Sequence, residues 1–266
     1  KSKISGGNCA VIVKASGVTL LKTRIDGDLI ISEGVGQGEF TLDSTTVSGN
    51  LVVRGGGENS IHIINDAEIS GTVSIKEVDG AIRIVSNGVA IADLETDAQV
   101  ILEGAFTNVF VAEGANIKLY GKADSINVDA KSEVTIEEGA VVRSLAVDQA
   151  AKSAIIKIAG TVKTLTTEAA KTEIIAKGTA KITTIEVTAT ATGTQVSINE
   201  NAEIKILKTD TYVSTSGNGT PETTTGKNAV SQSDDDSSAV SGDNNSGDNG
   251  GSSGDQSDTT APVIVI

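Results

Sequence analysis

Three short segments of this chain share one frame: Gly27-Asp-Leu-Ile-Ile31, Gly49-Asn-Leu-Val-Val53 and Gly71-Thr-Val-Ser-Ile75. Their leading glycines stand 22 positions apart. A fixed period near 20 in a strand-rich sequence predicts a solenoid, in which each coil stacks on the one before. Nothing else in the sequence restricts the fold as tightly.

The unit changes after Gly88 but persists. An apolar-x-apolar pair recurs as Val100/Leu102, Ile117/Leu119, Val134/Ile136, Ile156/Ile158, Ile174/Ala176 and Val196/Ile198. The first members step by 17, 17, 22, 18 and 22. Glycine follows the first five pairs closely, at 104, 121, 139, 160 and 178. A second pair then trails each glycine: Val109/Val111, Ile126/Val128, Leu145/Val147, Leu165/Thr167 and Ile185/Val187. Each coil therefore holds two strands and two turns, with a short third strand. Glycine supplies the positive φ that a sharp corner requires. The alanine-rich pieces at 148–151 and 168–171 favour helix by composition. They are too short and too closely flanked by β-branched runs to be more than turns.

Composition agrees. Aromatic residues make up 2% of the chain and Trp is absent, so Val, Ile, Leu and Ala must fill the interior. Stacked β-branched side chains suit a narrow lumen, whereas a globular domain of this length draws packing area from rings. An antiparallel sandwich also has short, regularly spaced strands. The later coils lack the Asn-Gly or Asp-Gly hairpin signals it would use. The irregular coil length argues against a left-handed hexapeptide helix. The expected fold is all-β, a right-handed parallel β-helix over residues 1–212 of about nine or ten coils, followed by a disordered acidic linker.

Residues 213–258 are nearly all Ser, Gly, Asp, Asn and Thr. Such a segment buries too little apolar surface to offset its ordering entropy. Residues 259–266, ending in Pro262-Val-Ile-Val-Ile266, read as the first strand of a truncated following domain. The absence of Met is what a processed product or an excised segment would show. The lone Cys9 excludes an internal disulfide and reads as a small buried hydrophobe. A net charge of −14 disfavours nucleic acid and anionic membranes as partners. No apolar run is long enough for a helical membrane span.

The stretch from Gly27 to Leu42, continued by Thr46 to Ile61, resembles a repeat-rich module of large secreted surface proteins of Gram-positive bacteria. Those proteins often carry S-layer homology domains. The closing Asp258-Thr-Thr-Ala-Pro-Val-Ile-Val resembles the start of bacterial immunoglobulin-like repeats. The resemblance implies export, a cell-envelope location and a modular stalk, with residues 259–266 opening an Ig-like domain. It transfers no catalytic residue. It leads to the expectation of a non-catalytic structural or adhesive spacer, whose partners are neighbouring domains of the same chain and cell-wall or host glycans.

The alternative is a module that binds or cleaves polysaccharide, since parallel β-helices also host lyases and hydrolases. Its candidate site is the loop Arg54, Gly55, Gly56, Gly57, Glu58, with Glu33 or Asp79 stacked one coil away. Consecutive glycines admit a ligand to the backbone, and Arg54 can hold a carboxylate or sulfate. Gly is also the default turn residue, so the loop reads equally as a wide corner. It lacks the Lys-Ser/Thr ending of a phosphate loop. Gly34, Gly36 and Gly38 alternate without a following helix and make no dinucleotide site. His62 between Ile61 and Ile63 faces away from the core and has no second His with which to bind zinc. No cofactor is expected; calcium is the one ion the Asp-rich linker would admit, and it lacks the EF-hand pattern. The threonine-rich run from Thr188 to Thr194 shows no Thr-x-Thr recurrence at the coil period.

Overall fold

A computed structural model describes residues 2–4, 10–58, 60–76, 80–226 and 231–232. Cys9, Asp79, most of the acidic segment and the terminal 259–266 lie outside the described residues. The described chain is a β-solenoid of about 11 turns in which every strand pairing is parallel. Among the described residues there is no α-helix, and one 3-10 turn at Glu33–Val35.

The early coils carry three separate ladders. One runs Val11–Val13, Leu29–Ile31, Leu51–Val53, Val73–Ile75. A second runs Val18–Leu21, Phe40–Asp43, Ile61–Ile64. The third is short, from Ser2–Ile4 through Thr23–Ile25 and Thr46–Val47 to Glu68–Ile69. The frame of 22 residues thus sets Leu29, Leu51 and Val73 directly over one another. Alternation does the rest: Ile61 and Ile63 are fully buried, and His62 between them is half-buried on the outer side.

The change of unit after Gly88 has a structural counterpart. The short third strand fuses with the one that follows it. Lys122–Val128, Val141–Val147, Thr161–Thr167, Lys181–Val187 and Glu203–Thr209 each run through both sides. They stack in register, as do Asn116–Leu119, Glu133–Ile136, Ile155–Ile158, Glu173–Ala176 and Gln195–Ile198. Every apolar pair picked out by the spacing lies in these two series or in Gln99–Val111 directly before them. Val100, Ile117, Val134, Ile156, Ile174 and Val196 form one column of adjacent residues, all inside. The Ala-rich pieces are turns, and Ala151 and Ala169 within them are fully buried.

The stack does not stop at residue 212. Ser214–Ser216 pairs with Gln195–Ile198, Thr223–Gly226 pairs with Glu203–Thr209, and Ser231–Gln232 pairs with Ser214–Ser216. The solenoid therefore extends into the segment read as linker. The physical reason is that backbone ladder bonds need no particular side chain, and Val213 and Thr215 still point into the core.

Candidate functional site

The glycine-rich loop packs between coils. The Arg54 amide donates to the Ile31 carbonyl at 2.8 Å, and the Gly56 amide donates to the Gly36 carbonyl at 2.6 Å. The Gly57 carbonyl accepts from the Arg83 amide at 3.0 Å and from the Ser60 hydroxyl at 2.6 Å. All three glycines are buried. Gly56 has φ +127°, a conformation that L side chains rarely adopt. A Cβ on Gly57 would lie 2.8 Å from the Gln37 carbonyl oxygen. The coil containing Glu33–Val35 thus lies flat against these glycines, and the Gly56 amide that could greet a ligand is spent on that coil.

Arg54 and Glu33 do meet one coil apart, at 3.8 Å, with both side chains more than half exposed. Glu58 is exposed and takes no part in this pair. Arg54, Glu33 and Glu58 line none of the recesses that the later coils form. Among the described residues no group of three His, Cys, Asp or Glu side chains could hold a metal ion. No helix among them is long and apolar enough to cross a membrane.

Arg24–Asp26 and Lys205–Glu203 pair within one coil, while the other ion pairs among the described residues join neighbouring coils. Lys76 pairs with Glu95 at 3.2 Å, Arg143 with Asp124 at 3.3 Å, Lys157 with Glu133 at 2.7 Å and Lys208 with Glu186 at 3.5 Å; Arg83 pairs with Glu103. Glu95 also accepts the Ser74 hydroxyl at 2.7 Å, and that bond, with the Lys76 ammonium beside it, holds the Glu95 carboxyl below its ordinary range.

Two features lie outside the apolar columns that the spacing picks out. The residue just after each trailing apolar pair turns the corner, and there Asp129, Asp148 and Glu168 stack along successive coils around a recess of about 150 Å³. Burial first, and the Asp148 charge second, push the Asp129 carboxyl above its usual value of 3.8. A raised folded-state pKa means a contribution that is present in acid and lost as pH rises through that pKa. Asp129→Asn is expected to raise the thermal midpoint at about pH 7 and to show no gain at about pH 3. A melt series across that range checks it, and an equal gain at both ends would refute the assignment. The sequence does carry a signal for it: an acid at the same offset from three successive pairs.

The second feature is a recess of about 560 Å³ along one corner. Its lining includes Ser86, Gly88, Gly104, Tyr120, Gly121 and Lys122. It arises because residues 86–89 bulge from Ala81–Thr96 opposite Gly104 alone, between the paired positions Val85/Glu103 and Ala90/Ala105. Half of Tyr120 is exposed. A single irregular coil gives no periodic signal, so spacing could not reveal it.

No protein-family model, curated protein or solved structure matches this chain.

Proposed function

We propose that the chain is a non-catalytic structural or adhesive spacer, a β-solenoid module of a secreted bacterial surface protein working outside the cell or in its envelope. The observation that carries this reading is the distribution of charge. Arg54, Arg83, Arg143, Lys157 and Lys208 each meet a carboxylate of the adjacent coil on the outer surface, and these pairs are spread along the stack rather than gathered in one groove. A lyase or hydrolase needs its acids and bases gathered about one bond. A rod needs no such gathering. Neighbouring domains of the same chain, and cell-wall or host glycans, are the partners this role implies.

The test is an assay of the recombinant chain against acidic and neutral polysaccharides. No new reducing ends or unsaturated products are expected, and Arg54→Ala should behave as the parent does. Turnover of any polymer that Arg54→Ala abolishes would sink the spacer reading.

A second reading, glycan binding without cleavage, is favoured by the corner recess rather than by the glycine loop. There Tyr120 offers a ring face and Lys122 a cation beside exposed glycine backbone. Ligand-detected NMR with oligosaccharides, repeated on Tyr120→Ala, separates the two. Binding that survives the substitution would place the glycan elsewhere.

A further inference from the structure

The long strands Lys122–Val128, Val141–Val147, Thr161–Thr167, Lys181–Val187 and Glu203–Thr209 bend in mid-course. In each, the second, fifth and seventh residues are buried. The first and third residues therefore stand outward on one narrow face, and the fourth and sixth on the next. Because the strands stack in register, every such position forms a column along the solenoid axis. Neighbouring coils in a column are about 4.8 Å apart.

On the first face these coils present Lys122, Arg143, Lys163, Lys181 and Lys205, one cation from each. Its acids are Asp124 and Glu203, and both are engaged: Asp124 by Arg143 at 3.3 Å and Glu203 by Lys205 at 3.7 Å. Lys122, Lys163 and Lys181 are exposed and pair with no carboxylate among the described residues. The coils before carry only Ala90, Ala92, Ala105 and Thr107 at the same positions. Acids gather at the far end of the strands instead, where Asp129, Asp148, Glu168 and Asp210 directly follow four of them. The corner ahead of the basic face holds Glu137, Glu138, Glu200 and Lys177, set off from it by the buried Ala140, Ala180 and Ala202. A chain of net charge −14 thus keeps a basic stripe apart from its acids. Lys163 and Lys181, on adjacent coils, repel one another, and an anion laid along the column relieves that repulsion.

We infer that this face seats a linear acidic polysaccharide lying parallel to the solenoid axis, with its anionic groups on Lys122, Lys163 and Lys181. An extended chain with one anionic group on each sugar repeats its charge on a length comparable to the coil spacing, so successive groups meet successive coils. The face runs into the corner recess, with which it shares Ala90, Ala105 and Lys122. Single-stranded nucleic acid is the other linear anion, but it is held largely by stacking its bases on aromatic rings. No outward residue of this face is aromatic. This role rests on the adhesive reading and gives its glycan partner a chemistry and a place.

Biolayer interferometry on the whole chain compares polygalacturonate, dextran of similar length and single-stranded DNA at low and high salt. The parent is expected to bind polygalacturonate, to release it as salt rises, and to bind dextran and DNA at least about tenfold more weakly. Lys163→Gln/Lys181→Gln should weaken polygalacturonate binding about tenfold or more at low salt and flatten its salt dependence. Lys152→Gln/Lys171→Gln removes two exposed lysines from the corner that holds Asp148 and Glu168. That control should stay within about twofold of the parent, because its lysines stand among acids that already repel the polymer. Lys163→Gln alone serves if the stripe variant loses its β circular-dichroism signal. Equal losses in the two double variants, no loss in the first, or tighter binding of DNA would overturn the inference. So would dextran binding as tight as that of polygalacturonate, an outcome that leaves glycan adhesion itself standing. Binding to no polysaccharide would remove both.

Discussion

Replacing Ile156 by aspartate is expected to abolish the cooperative unfolding of the central coils, while Lys157→Asp, one residue on, leaves it nearly intact. Ile156 is completely buried between Val134 and Ile174 of the adjoining coils. The lumen around it is aliphatic, with no cation to meet a carboxylate. An unpaired buried charge costs about 4–5 kcal/mol or more, against a total stability of about 5–15 kcal/mol for an ordinary domain. In a stack stabilised by its nearest neighbours, that loss falls on the two flanking interfaces as well. Lys157 points outward, and its contribution is a partly exposed pair with Glu133 at 2.7 Å. Losing it, and setting a second carboxylate near Glu133 on the outer surface, costs about 1–2 kcal/mol. Urea melts followed by circular dichroism give the two midpoints. Hydrogen exchange should show protection lost at 134–136 and 174–176 as well as at 155–158 in the first variant. Equal midpoints would mean that Ile156 is not inward.

That contrast between adjacent residues is what makes the fold readable. In a lumen enclosed on all sides, most inward residues must be aliphatic, and successive coils repeat the choice. Val134 and Ile156 can therefore be assigned as inward from their spacing, and they lie opposite one another. The same logic predicts that Arg54 and Glu33, about one coil apart, are neighbours. It fails where a position is set by something other than aliphatic burial. Thr215 and Thr224 occupy core columns but read as linker residues, so spacing alone ends the stack too early. Gly55, Gly56 and Gly57 look open to a ligand, because sequence records the absence of a side chain and not the coil that fills its place. The bulge at 86–89 and the recess at Tyr120 belong to one coil only. Recurrence cannot flag what occurs once.

Gly121→Ala is expected to cost about two- to threefold more stability than Gly139→Ala, although both glycines stand near the same corner of successive coils. At Gly121 a Cβ would overlap the carbonyl oxygen of Gly104 and come within 2.6 Å of its amide nitrogen. Those are backbone atoms, so no rotamer change relieves the clash. The coil can accept the methyl only by moving away from the one beneath it. Two bonds flank the site: the Tyr120 amide to the Leu102 carbonyl at 2.8 Å, and the Val141 amide to the Gly121 carbonyl at 2.9 Å. Separation of the coils stretches the first and drags the second. The result belongs with overpacking strain of roughly 1–3 kcal/mol, plus about 1 kcal/mol for each ladder bond lost. Gly139 faces open space, with nothing within 4 Å of where a methyl would stand, and its only penalty is its φ of +81°. A left-handed backbone costs an L residue about 1–2 kcal/mol. Paired urea melts decide between crowding and backbone conformation. If the two alanine variants lose the same amount, the corner glycines are present for their dihedral angles. The close approach of Gly104 to Gly121, two residues that line the recess, would then have no energetic weight.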